Sequence, residues 1–367
     1  MVVKRPSAGG QWSQLFPTKC SLFVFLAYMA LFINQGIMVT ASQRADNSYS
    51  YNTVTVVLLS EATKLVVSFL LYLRENSASA LFAEMSQHMK VLALYMVPAL
   101  LYCLYNNLAF VNLAAYDPTT YFLLLQLRVV ITGIVFQVLF KKQLSKWQWV
   151  SLFILTLGCI VKQLNVTEKN AQAVTSSKAD DITSHVVNSL VSVHTGLVLL
   201  QVLCSCLAGV YNEKLLKDIG AEVHIMVQNV FMYIDSILCN AAVLLMRGEL
   251  GSAFTFTALS QIWQPAVIVI IINNAAVGIV TSFFLRNLNS ILKTFASALE
   301  LMFTAVLSWL IFGIPIGWWT ALAIALVTYA SWMYAQNPVI NRGRLDQLDS
   351  NQTSEEVKLV PSEMTEV

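Results

Sequence analysis

Long apolar stretches recur along almost the whole chain, and they restrict it to one class of protein. Ten can be marked, each of about the length that an α-helix needs to cross a bilayer. Their bounds are 20–40, 53–73, 91–113, 119–140, 148–164, 191–211, 224–246, 265–285, 294–312 and 318–335. Because every backbone polar group inside a bilayer must be hydrogen-bonded internally, we predict an all-α polytopic membrane protein with ten transmembrane helices.

The composition agrees with this prediction, because 57% of the 367 residues are hydrophobic and only 11% are charged. A soluble domain carries about 25% charged residues. The formal net charge of +2 gives no basis for a nucleic-acid partner. The composition makes the lipid bilayer the expected environment. The sequence contains no metal-ligand spacing, phosphate loop or catalytic constellation, and we therefore predict neither an enzyme nor a bound cofactor or metal.

Two polar segments divide the chain into parts. We predict a cytosolic N-terminal segment at 1–19, a first five-helix half at 20–164, a polar lumenal loop at 165–190, a second five-helix half at 191–335 and a disordered cytosolic tail at 336–367. The first 19 residues are polar and carry no removable signal peptide, so the first span is expected to direct insertion.

The lysines and arginines outside the spans predict the orientation of the chain. Fifteen of them fall on the side of the N-terminus and four on the opposite side. Basic residues are enriched in cytosolic loops, so both termini are predicted to be cytosolic. Asn165, in the sequence Asn165-Val-Thr167, is a candidate glycosylation acceptor on the lumenal side.

A short internal repeat predicts how the two halves are related. The connector Phe140–Trp147 matches the connector Phe312–Trp319 at an offset of 172 residues. The first carries three lysines and the second carries no charge, so the two should lie on opposite membrane faces. Two five-helix repeats of inverted topology are typical of transporters that alternate access to a site near the bilayer midplane.

Several ionisable residues fall inside the predicted spans, where they are costly and often functional. Glu61 and Lys64 lie three residues apart and so share one helical face, either as a neutralising structural pair or as functional groups. Arg128 has no acidic residue within a helical turn. Asp235 and Glu300 are interpreted as gating or structural groups, because additional carboxylates would repel an anionic ligand.

Seven motifs together resemble the successive signatures of Golgi nucleotide-sugar transporters, which carry UDP-galactose, UDP-N-acetylglucosamine or CMP-sialic acid. They are Ser60–Leu65, Tyr102–Phe110, Leu125–Arg128, Leu144–Trp149, Gly209–Lys217, Thr281–Ser282 and Asn289–Ala296. The resemblance extends from the second predicted span to the tenth. It implies a ten-helix drug/metabolite-transporter fold in the Golgi membrane and exchange of a nucleotide sugar for a nucleoside monophosphate.

The resemblance also implies a substrate site. The positions that match the nucleotide site of the family are Tyr102, Asn106, Tyr121, Arg128, Tyr211, Thr281, Ser282, Arg286 and Lys293. The physical chemistry is consistent, because a diphosphate needs cations that face a water-filled cavity, and arginine grips phosphate through two parallel hydrogen bonds. We therefore expect a UDP-sugar such as UDP-galactose to be exchanged for UMP by alternating access.

Departures from the family pattern keep other functions open. This chain has Leu125 where the family usually has tyrosine, Arg128 where it has lysine, and Asn289-Ser290 where it has Asp-Asn. A membrane adaptor that keeps the fold without transporting is one alternative. A transporter of another metabolite is a second, since a cationic substrate would favour the buried carboxylates over the basic residues. The identity of the sugar and the formation of a homodimer are left open.

Overall fold

The fold is known from a computed structural model, which describes residues 16, 18–42, 51, 53–115, 121, 124–173, 193–248, 251, 254–256, 260, 262–312, 316–336 and 339. Eleven α-helices account for most of these residues. They are α1 Lys19–Ala41, α2 Thr53–Leu73, α3 Ala78–Gln87, α4 Met89–Ala115, α5 Arg128–Phe140, α6 Lys146–Ala173, α7 Val193–Lys214, α8 Ile225–Arg247, α9 Pro265–Asn287, α10 Ser290–Phe312 and α11 Trp318–Gln336. A π-helical turn, Leu215–Ile219, follows α7 directly.

The prediction of an all-helical chain is confirmed for the described residues, and each of the ten predicted apolar stretches overlaps one of these helices. Six segments among the described residues are long and apolar enough to cross a membrane. They are Thr55–Leu73, Met89–Leu108, Thr195–Ile219, Ile225–Met246, Pro265–Asn287 and Ser290–Leu307. Shorter apolar helices occur at Lys19–Gln35, Arg128–Phe140 and Lys146–Val161.

Two helices differ most from their predicted bounds. The fourth stretch was expected to be one helix from residue 119. Instead Tyr121, Leu124 and Leu125 are helical, and a turn at Gln126 and Leu127 separates them from α5, which begins at Arg128. Helix α6 continues to Ala173, nine residues beyond its predicted end, so that Asn165 lies within the helix. The added residues include Glu, Lys, Gln and Ala, which favour helix even where they are too polar for a span.

Helix α3 was not predicted, because it is too short and too polar to resemble a span. Ser77 caps its N-terminus, since the Ser77 hydroxyl accepts a hydrogen bond from the Ala80 amide at 3.2 Å. Leu81 is buried and Met85, one turn later, packs against the apolar core, whereas Phe82 is exposed. A serine cap followed by apolar residues four apart was the sequence signal for this helix.

Most of the helix packing joins the first half of the chain to the second. Helix α4 packs against α7 and α8, α2 against α8 and α9, α1 against α9 and α10, and α6 against α11. The interior contains interlocked aromatic side chains, such as Phe295 on α10 and Tyr334 on α11, whose stacked rings have centroids 4.4 Å apart. This arrangement encloses the polar residues of the middle helices and positions the site.

Candidate functional site

A polar cavity of about 230 Å³ lies among α2, α4, α7, α8, α9 and α10. Five residues of the predicted substrate site line it, namely Tyr102, Asn106, Thr281, Ser282 and Lys293. The intramembrane pair Glu61 and Lys64 lines it as well. Residues from four different helices are therefore brought together from positions up to 232 residues apart in the sequence.

The Glu61–Lys64 pair forms one wall of this cavity. The Lys64 ammonium lies 2.5 Å from the Glu61 carboxylate, which confirms that both charges lie on one helical face. The side chains are 16% and 13% exposed, so the pair is not sealed from the cavity. The Lys64 ammonium also lies 4.9 Å from the ring centroid of Tyr233, in a cation–π contact.

Gly278 on α9 makes room for Lys64. A Cβ atom at this position would lie 2.3 Å from the Lys64 Cδ atom, closer than real side chains approach. Glycine therefore allows the aliphatic part of Lys64 to lie directly against the backbone of α9. Neither Gly278 nor Tyr233 was predicted as a site residue.

A polar stripe on α8 was also missed. Tyr233, Ser236 and Asn240 all line the cavity. Their spacing of three and then four residues places them on one face of a helix, which is a signal that the sequence contained. Asp235 does not belong to this stripe: it is buried, and its Oδ2 atom has no hydrogen-bond partner among the described residues.

Arg128 lies at the edge of the site rather than in the cavity lining. It begins α5, and its carbonyl group accepts a hydrogen bond from the Thr132 hydroxyl at 2.7 Å. Its side chain is half-buried and lies within electrostatic range of Lys293 and Glu300. Two basic side chains on different helices, Arg128 and Lys293, thus lie near each other at one side of the cavity.

Three other predicted residues lie away from the cavity lining. Tyr121 is buried, and its hydroxyl accepts a hydrogen bond from the Gln201 amide at 2.9 Å. Tyr211 packs against the apolar core, and Arg286 lies in the last turn of α9. The predicted site is therefore divided between a cavity group and a surrounding group, and the role of each residue stays a prediction.

The cavity is closed at one end of the helix bundle. Along α4, Tyr95 and Ala99 are each 1% exposed, whereas Asn106, two turns further on, is exposed. On α8 the same order holds, since Gln228 is fully buried and Asn240 is partly exposed. The cavity lining is thus more exposed toward the C-terminal ends of α4 and α8.

Comparison with known proteins gives the family. The sequence profile described as nucleotide-sugar transporter matches residues 17–335. The chain belongs to the nucleotide-sugar transporter family. The resemblance inferred from the seven motifs is thereby confirmed, and the departures from the pattern are variations within a nucleotide-sugar transporter sequence.

Similar nucleotide-sugar transporters occur in animals and plants. The chain is 54% identical to the UDP-galactose transporter senju of Drosophila melanogaster, over 97% of each chain. It is 26% identical to CMP-sialic acid transporter 1 of Arabidopsis thaliana, over 86% of this chain and 90% of the relative. A crystal structure that is 13% identical in sequence has the same fold, with a TM-score of 0.58 over 86% of this chain and 96% of that one.

Proposed function

We propose that this protein imports UDP-galactose or a related UDP-sugar into the Golgi lumen in exchange for UMP. The observation that carries the proposal is the polar cavity, which is lined by the basic side chains of Lys64 and Lys293 and by hydroxyl and amide groups. The 54% identity to a protein named as a UDP-galactose transporter supports the choice of substrate.

The basic side chains are suited to the phosphates, which both exchanged ligands carry. Lys293 lines the cavity, and Arg128 lies within electrostatic range of it. Tyr102, Asn106 and Thr281 supply hydroxyl and amide groups that can bond to the base and ribose. A UMP monoester carries about −1.5 to −2 charges near neutral pH, similar to a UDP-sugar, so the exchange would be nearly electroneutral.

The packing of the helices supports two inverted five-helix repeats with ten crossings. The first five are α1, α2, α4, α5 and α6, and the second five are α7 to α11. Replacing each helix by the one at the same position in the other half turns one observed contact into another. In this way α4–α7 becomes α9–α1, α4–α8 becomes α9–α2, and α5–α7 becomes α10–α1. Such a relation gives two equivalent ways to close the cavity, as alternating access requires.

The orientation follows from the predicted positions of the basic residues. Both termini and the turn between α7 and α8 would be cytosolic, and Asn165 would lie on the lumenal side. The cavity, which is closed at the α7–α8 turn, would then be open toward the lumen. The proposed segments 1–19 and 336–367 fall largely outside the described residues.

Uptake by proteoliposomes tests the proposal. Vesicles loaded with UMP should take up radiolabelled UDP-galactose faster than empty vesicles, and Arg128→Ala should abolish this stimulation. Lys146→Ala is the matched control, because Lys146 is an exposed basic residue outside the cavity. Full exchange by the Arg128→Ala protein would contradict the role of Arg128.

A panel of nucleotide sugars, with UMP or CMP inside the vesicles, identifies the substrate. If only a CMP-sugar shows stimulated uptake, that CMP-sugar and not UDP-galactose is the substrate. If folded protein takes up none of the nucleotide sugars under any loading, the transport function is wrong and the membrane adaptor is favoured.

A further inference from the structure

One short segment at the closed end of the bundle caps three helices that come from distant parts of the chain. It runs from Glu213 to Lys217 and covers the end of α7 and the beginning of the π-helical turn. Lys214 donates a hydrogen bond to the Leu139 carbonyl, 3.1 Å away, in the last turn of α5. A cation at the C-terminus of a helix is stabilised by the helix dipole, so this contact fixes the end of α5.

The ion pair between Glu213 and Lys217 holds the junction between α9 and α10. The Lys217 ammonium lies 3.1 Å from the Glu213 carboxylate and also donates to the Leu288 carbonyl at the end of α9. The second oxygen of Glu213 accepts the Ser290 amide hydrogen, at 2.8 Å, at the beginning of α10. A positive charge thus meets a helix C-terminus and a negative charge meets a helix N-terminus, as their dipoles favour.

Both charged side chains are sealed from solvent, since Lys217 is 3% exposed and Glu213 is fully buried. A buried ion pair is stable only where further hydrogen bonds satisfy both partners. Here the helix ends supply those bonds. The charges and the junction therefore depend on each other, because moving the α9–α10 junction away removes one hydrogen bond from each charge.

The turn after α7 is pinned to the neighbouring helices. Gln228 on α8 donates to the carbonyl groups of Gly220 and Val223, at 2.7 and 2.9 Å. It accepts a hydrogen bond from the Tyr95 hydroxyl on α4 at 2.7 Å. A side chain at Gly220 would meet the Gln228 Oε1 atom at 2.8 Å, so glycine permits this close packing.

The ion pair is connected to both the connector of the first half and the cavity. Lys142 lies between α5 and α6, close to Lys217. Its pKa is lowered first by burial and then by the positive charge of Lys217. On α10, the Lys293 amide donates to the Asn289 carbonyl at 3.1 Å, so that Lys293 follows the junction within one turn. Displacement of the junction would consequently displace a basic residue of the cavity.

We propose that the Glu213–Lys217 ion pair is the latch that keeps the cavity closed at this end of the bundle. Opening at this end requires the latch to release the Leu288 carbonyl and the Ser290 amide, and with them the α9–α10 hairpin. The alternation of the latch during a transport cycle rests on the proposed function, but the closed end that it maintains does not.

Cysteine labelling tests the latch without any substrate. The reporter is Met232→Cys in a background without the native cysteines, because Met232 lines the cavity and is half-buried. A membrane-impermeant maleimide is added to sealed vesicles from the side of the α7–α8 turn. Lys146→Cys, an exposed position at the same end of the bundle, identifies the vesicles in which this end faces outward.

The decisive variant exchanges the two charges, Glu213→Lys with Lys217→Glu. It keeps an ion pair, but it places a carboxylate beside the Leu288 carbonyl and an ammonium beside the Ser290 amide, so that acceptor meets acceptor and donor meets donor. We expect the reporter to be labelled at least about tenfold faster, because a tenfold weaker closure raises the population of the open state about tenfold. The matched control, Glu213→Gln with Lys217→Gln, keeps one acceptor and one donor at the helix ends and should accelerate labelling less.

A milder variant covers the case in which the exchanged pair does not fold. Ser290→Pro removes the amide hydrogen that Glu213 accepts, together with the serine hydroxyl, at the first position of α10, where proline is well tolerated. It should accelerate labelling by about threefold. Unchanged labelling in folded Ser290→Pro, or in the folded exchanged pair, would overturn the latch. Labelling needs no ligand. If the wild-type protein takes up no UDP-galactose, the proposed function is contradicted, but the labelling result still tests the latch.

Discussion

Two Glu–Lys pairs of nearly identical sequence spacing have different surroundings in this protein. Glu61 and Lys64 line the cavity, remain 16% and 13% exposed, and contact the ring of Tyr233. Glu213 and Lys217 are buried and cap the ends of α9 and α10. Both pairs neutralise two charges within the apolar part of the chain. Among the described residues, only the second pair is hydrogen-bonded to backbone groups of other helices.

The difference shows how the surroundings determine what an intramembrane charge pair can do. In the cavity, water and ligand can replace either partner, so the charges are available for binding or gating. At the closed end, removal of either charge takes a buried counter-charge away from the other in a medium of low dielectric constant. Substitutions at the two pairs test this contrast.

The largest difference is expected when one lysine of each pair is removed. Lys217→Met should lower the free energy of unfolding by about 3–5 kcal/mol, because the buried Glu213 loses its ion pair with Lys217. Lys64→Met should cost about 1 kcal/mol or less, since Glu61 stays accessible to water in the cavity. Unfolding of the purified proteins in detergent measures both values. Similar losses in the two variants would contradict the distinction between the pairs.

A smaller effect is expected from filling the space beside Lys64. Gly278→Ala would place a Cβ atom 2.3 Å from the Lys64 Cδ atom, so the lysine must move away from its contact with Tyr233. We expect a loss of about 1–3 kcal/mol in stability, together with slower UDP-sugar uptake. Gly196→Ala is the control, because nothing lies within 4 Å of a Cβ atom there. Equal behaviour of the two variants would show that Lys64 has no fixed position.

Removing one hydroxyl group from the closed end should have a moderate effect. Tyr95→Phe loses the 2.7 Å hydrogen bond to Gln228, which supports the turn that carries the latch. The expected cost is about 0.5–1.5 kcal/mol in the free energy of unfolding. Tyr329→Phe, at a residue that is 51% exposed, should be neutral. A neutral Tyr95→Phe protein would mean that the turn is held without this bond.

The smallest effect is expected from reversing the cavity pair. Glu61→Lys with Lys64→Glu keeps the ion pair and loses the cation–π contact with Tyr233, for about 0.5–1 kcal/mol. The corresponding exchange at Glu213 and Lys217 should cost clearly more, because it opposes like charges to the helix ends. Unfolding of the two exchanged proteins side by side makes the comparison, and equal costs would mean that the helix ends contribute nothing to the latch.

The elements that the sequence predicted correctly are those with a local signal. Ten apolar stretches predicted the positions of ten helices, since the cost of burying a backbone polar group in lipid depends on the segment alone. The i, i+3 spacing of Glu61 and Lys64 likewise predicted their contact. Helix α3 was missed because ten partly polar residues carry a weak signal beside spans of about 20.

The candidate site was only partly predictable. Five residues taken from the family resemblance line the cavity, but Arg128, Tyr121, Tyr211 and Arg286 lie around it. Whether a span residue faces a cavity or a neighbouring helix depends on the rotation and packing of that helix, which its own sequence does not state. The polar stripe on α8 could have been read from its spacing, whereas the place of Gly278 beside Lys64 could not, because the two residues lie on different helices.

By itself the sequence determined that this is a helical membrane protein, because the number and length of the apolar stretches leave no other way to satisfy the backbone. It also contained the family motifs Gly209–Lys217 and Asn289–Ala296 as separate signatures. Only the tertiary structure joined them, through the contact of Glu213 with Ser290 across 77 residues. The physical reason is that a contact between a side chain and a distant helix end depends on how the helices pack, and packing is a property of the whole bundle.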